Sequence, residues 1–70
     1  MKHFERGDII IARWCNEVVR AIITRVVRRV SPDGLVMSFD YYTEDMTKTI
    51  HGIPYKYIIR ESDIVGGCND

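Results

Sequence analysis

The stretch VVRAIITRVVRRV, residues 18–30, decides the fold class, because it has the spacing of a helix and the composition of a strand. Its apolar residues Val18, Val19, Ile22, Ile23, Val26, Val27 and Val30 recur with helical periodicity, and Arg20, Thr24, Arg25, Arg28 and Arg29 fill the other side. A helix of this kind would be a basic amphipathic segment suited to a membrane surface or a partner's groove. Composition argues against it. Seven Val or Ile and one Thr are β-branched, and such side chains lose χ1 freedom in a helix. The segment runs into Ser31-Pro32-Asp33-Gly34, a tight-turn sequence with Pro second and Gly fourth, and then into Leu35-Val36-Met37-Ser38-Phe39-Asp40. The expectation is a long, bent strand turning into another.

Other elements follow from turn signals. Gly7-Asp8 precedes the β-branched and aromatic run IIIARW, a strand, and Asn16-Glu17 allows a reversal. Asp40-Tyr41-Tyr42-Thr43-Glu44-Asp45 is polar and aromatic and reads as a loop. Residues 46–50 form a short strand, His51-Gly52 a turn, 54–59 another strand and 60–63 a single helical turn before Ile64-Val65. Residues 66–70 read as a frayed, flexible tail. Seventy residues suffice for one small domain, with a core over about 7–65, and not for two full sheets. The sequence therefore predicts an all-β domain, a small barrel of five to six strands.

Ten basic residues balance ten acidic ones, which removes the global basicity of a dedicated nucleic-acid neutraliser. The balance is uneven along the chain. Residues 1–30 carry seven basic against three acidic side chains, and residues 31–70 carry three against seven. Pairing between adjacent strands is the preferred reading of this split over two oppositely charged partner surfaces. Cys15 and Cys68 lack the spacing of a disulfide framework or a zinc site, and a bond between them would tie the first strand to the tail. The charged start MKHFERGD and the absence of a long apolar run predict a cytoplasmic protein, nuclear if eukaryotic, without membrane association.

Several segments in order resemble a Tudor domain of the SH3-like barrel group: the opening GDIIIARW, Arg20-Ala21-Ile22-Ile23, the run VMSFDYY at 36–42, and ESDIV at 61–65. Together they span nearly the whole chain. The resemblance implies a non-catalytic reader in which Trp14, Phe39, Tyr41 and Tyr42 enclose a methylated Lys or Arg, whose cation is drawn to aromatic faces. This chain departs from the family in having Val18-Val19 where the second strand supplies an aromatic, and Tyr42 where a tight Gly follows the Asp-Tyr pair.

From the residues alone, Trp14 reads equally as a binding anchor and as a cap on a small core. Phe39 alternates with Leu35 and Met37 and reads as core; of Tyr41 and Tyr42, in the expected loop, at least one reads as part of a binding surface. Tyr55 and Tyr57 share a strand face. The arginines Arg20, Arg25, Arg28 and Arg29 are the nucleic-acid feature, but a regular strand sends Arg20 and Arg28 to one face and Arg25 and Arg29 to the other, unless a bulge resets the count. His3 and His51 have no partner at a catalytic spacing, and Asp40, Glu44 and Asp45 lack a calcium-loop pattern. The expected function is a non-enzymatic module without cofactor or metal that docks on a protein, as an adaptor or small inhibitor, through Trp14, Phe39, Tyr41 and Tyr42. The alternatives are a nucleic-acid-binding barrel with weak affinity and a methyl-lysine or methyl-arginine reader.

Overall fold

The structure, a computed structural model, describes residues 3–68, with only the backbone described for Val36 and Cys68. Five antiparallel strands form one sheet: β1 (Ile9–Trp14), β2 (Glu17–Val30), β3 (Val36–Ile50), β4 (Ile53–Arg60) and β5 (Ile64–Cys68), with a 3-10 turn, η1 (Glu61–Asp63), before β5. Their spatial order is β4-β3-β2-β1-β5. The segment at 18–30 is thus strand, as its β-branched composition requires. Among the described residues no helix is long and apolar enough to cross a membrane.

Local chemistry fixes the hairpins. Cys15 and Asn16 have φ of 49° and 65°, and His51 and Gly52 have 51° and 79°, so both two-residue turns hold consecutive left-handed residues, the form whose twist matches that of the flanking strands. At the third hairpin the Gly34 amide donates to the Ser31 carbonyl at 2.9 Å, closing the turn that SPDG announces.

Two expectations are corrected. Residues 40–45 are not a loop but the middle of β3, which pairs with β2 on one side and β4 on the other. Gly66, Gly67 and Cys68 are not a tail, since they pair with Ile11, Ile10 and Ile9 in β1. Asn69 and Asp70 lie outside the described residues. So does the Cys68 side chain, and with it the pairing with Cys15, which sits exposed in the first hairpin turn.

One face of the sheet makes the core. Ile10 and Ala12 from β1, Val19, Ala21 and Ile23 from β2, Tyr41 from β3, and Tyr57 and Ile59 from β4 are all buried. Among the described residues no second layer covers them, and the sheet curls over its own apolar face. Trp14 on β1 and Tyr57 on β4 show the curl: three interstrand steps apart, roughly 14 Å in a flat sheet, their rings lie 5.3 Å apart between centroids. The segment before β1 closes one end, with Phe4 edge-on to Tyr41 at 6.3 Å. There the Tyr41 hydroxyl accepts from the Phe4 amide at 3.4 Å and donates to Glu61 Oε2 at 3.2 Å, while His3 Nδ1 meets the same oxygen at 2.6 Å.

A bulge in β2 controls what the two faces display. Ile23 pairs with Thr43 and Arg25 with Tyr42, leaving Thr24 as the additional residue, its hydroxyl donating to the Tyr42 carbonyl at 3.1 Å. Before it Val19, Ala21 and Ile23 point inward; after it Val26 does. Removing Thr24 would leave Ile23 inward, Arg25 outward and Val26 inward, a regular alternation. A Thr24 deletion is therefore expected to fold, whereas deleting Ile22 restores the same alternation only by turning Ile23 out of the core and Thr24 into it, and is expected to lower the urea midpoint well below that of the Thr24 deletion.

Candidate functional site

With the bulge in place, Arg20, Arg25 and Arg29 share the outer face of the sheet, and Arg28, paired with Phe39, falls on the inner side beyond the core. The division expected of a regular strand is thus replaced by three to one. Pairing across β3 and β4 then builds outer-face rows: Ile22, Glu44 and Lys56; Arg25, Tyr42 and Ile58; Val27, Asp40 and Arg60. Over these strands the outer face sets five cations, Arg20, Arg25, Arg29, Lys56 and Arg60, against two carboxylates, Asp40 and Glu44.

The middle row is the most distinctive. Tyr42 is 39% exposed and Ile58 50%, adjacent apolar groups on an open face. The Arg25 guanidinium carbon stands 5.7 Å from the Tyr42 ring centre, within cation–π range. Thr24, Arg25, Tyr42, Glu44, Lys56 and Ile58 line a shallow depression of about 400 Å³. Farther along β3, Arg29, Ser38, Arg60, Glu61 and Ser62 line a second, of about 500 Å³. Asp40 lies between the two. Its Oδ2 is 3.7 Å from Arg29 Nε, and its buried Oδ1 has no hydrogen-bond partner among the described residues.

The four aromatics expected at a common site do not converge. Trp14 is half-buried against Tyr57, Phe39 is half-buried with its ring 4.2 Å from that of His3, and Tyr41 is wholly enclosed. Only Tyr42 is turned outward, because neighbours in a strand face opposite sides. Of Tyr55 and Tyr57, which alternation places on one strand face, Tyr57 is buried and Tyr55 is 39% exposed. Lys56, Ile58 and Arg60 escaped the sequence reading; their spacing by two places them on one face of a strand, but their alignment with Tyr42 depends on the pairing register.

The acidic cluster separates too. Asp40 and Glu44 face outward, and Asp45 is buried. Its Oδ1 accepts from the amides of Thr47 at 2.8 Å and Lys48 at 2.7 Å and from the Thr47 hydroxyl at 3.3 Å, and its Oδ2 from the Tyr57 hydroxyl at 2.6 Å. Burial alone would raise this carboxyl, yet the donors outweigh it and hold its pKa at about 2. Asp45 thereby shapes the irregular stretch of β3 where pairing with β4 jumps from Glu44 to Thr49.

Comparison with known proteins finds no matching family model, no matching curated protein and no matching solved structure.

Proposed function

We propose that the chain is a non-catalytic protein-docking module, an SH3-like barrel of Tudor type, whose binding face is the outer surface of β2, β3 and β4. The strand order, with β1 between β2 and β5 and a 3-10 turn leading into β5, supports the architecture. The observation that carries the function is the exposed Tyr42 and Ile58 pair beside Arg25, an apolar floor with a charged rim of the kind that anchors protein partners. A caged methyl cation has less support, because Tyr41 is enclosed and Trp14 packs on Tyr57.

Three outward arginines give the nucleic-acid reading its own support. Against it stand Asp40 and Glu44 in the central strand, on either side of Tyr42, where they repel a phosphate chain. The expected result is weak binding of DNA or RNA that fades steeply with added salt.

Affinity capture followed by titration of the retained protein tests the docking face. Tyr42→Ala is expected to weaken that complex about tenfold, a loss above about 1 kcal/mol, while the thermal midpoint and circular dichroism stay at wild-type values. Unchanged affinity in Tyr42→Ala and Arg25→Ala would remove this face from consideration.

A further inference from the structure

The two outer depressions lie along one strand, and their chemistry differs in a way that describes a ligand. Around Tyr42 and Ile58 the floor is apolar with Arg25, Glu44 and Lys56 at its rim; around Ser38 and Ser62 stand two arginines, Arg29 and Arg60, and one carboxylate, Glu61, whose Oε2 is already engaged by His3 and the Tyr41 hydroxyl. Tyr42 and Ser38 are four residues apart on the same face of β3, about 13 Å at the rise of an extended chain. Across β2 to β4 this face has five cations to two carboxylates, and one carboxylate, Asp40, lies within reach of Arg29.

Asp40 narrows the choice of partner. It lies on the outer face of β3 between Tyr42 and Ser38, its Oδ2 3.7 Å from Arg29 Nε. With Glu44 it sets negative charge on either side of Tyr42, which repels a chain charged at every phosphate, whereas a polypeptide can confine its carboxylate to the arginine end.

We infer that the outer face binds an extended acidic peptide segment of a partner protein, with an apolar side chain on Tyr42 and Ile58 and a carboxylate some four residues away between Arg29 and Arg60. The inference rests on the docking reading above and adds the chemistry of the partner. Guanidinium groups recognise carboxylates through paired N–H donors, and an aromatic floor accepts the apolar anchor.

Selection of random dodecapeptides displayed on phage tests it, with fluorescein-labelled oligouridylate titrated in parallel. Enriched peptides are expected to carry Asp or Glu three to five residues from an aromatic or aliphatic residue. The synthetic forms should bind Arg29→Gln/Arg60→Gln about tenfold more weakly, and wild type about tenfold more weakly once their acids are replaced by amides. Enriched peptides that are neutral or basic, or that bind the double variant unchanged, overturn the acidic-segment inference. If Tyr42→Ala still abolishes their binding, the docking face itself stands. An empty selection overturns the inference, and submicromolar oligouridylate binding at physiological salt beside it overturns the docking reading as well.

Discussion

Tyr41→Ala is expected to lower the stability of the fold by about 3–5 kcal/mol, while Tyr42→Ala, one residue along, changes it by less than about 1 kcal/mol. Tyr41 is the largest of the fully enclosed side chains, packed beside Phe4 and Phe39, with its hydroxyl joining the Phe4 amide to Glu61. Truncating a buried aromatic to alanine costs about 3–5 kcal/mol through lost transfer energy and the cavity left behind. Domains of this size have roughly 4–10 kcal/mol to lose at ~0.05–0.15 kcal/mol per residue, so one substitution removes much of the total. Urea titration followed by Trp14 fluorescence measures both variants, because the indole lies against Tyr57 only in the folded sheet. A Tyr41→Ala midpoint equal to that of wild type would show that Tyr41 contributes nothing to the core. Tyr41→Phe separates the ring from the hydroxyl and should retain most of the stability.

The contrast between these neighbours also shows where the sequence stops being legible. Residues 9–14 and the turns at 31–34 and 51–52 were readable because β-branched runs and turn residues act locally, whereas the reversal read at Asn16-Glu17 sits one residue earlier, at Cys15-Asn16, with Glu17 already in β2. The helical look of 18–30 was misleading for a definite reason: β2 carries apolar residues on both faces, Val19, Ile23 and Val26 inward and Val18, Ile22 and Val27 outward, so adjacent pairs recur every four residues. Residues 40–45 read as a loop because Thr43 and Asp45, although polar, occupy inward positions. Thr43 donates to the Tyr57 carbonyl at 3.2 Å and Asp45 collects its donors from the next turn, so both are buried without an unmet partner. The binding face needed more still, since Arg25, Tyr42 and Ile58 are distant in sequence and meet only through strand register.

Asp45→Ala is expected to destabilise the fold by about 3 kcal/mol, since it strips the acceptor from two backbone amides and from a buried phenol at once. The loss should depend on pH in a defined direction. In the folded chain Asp45 has a pKa of about 2, below its ordinary value of 3.8. Its contribution is therefore fully present above pH 3.8 and is lost as pH falls through about 2, a change worth about 2 kcal/mol. At the alkaline end burial, and then the Asp45 carboxylate, push the Tyr57 hydroxyl up to about 12 from 10, so that stability present below pH 10 is lost as pH rises through 12. Asp45→Asn keeps an oxygen for the amides and lets Tyr57 accept rather than donate, so it should cost less than alanine and flatten the acid limb. Urea midpoints from pH 2 to pH 6, compared between wild type and Asp45→Asn, measure this directly. Parallel acid limbs in the two proteins would mean that other carboxylates, and not the Asp45 hub, govern acid unfolding.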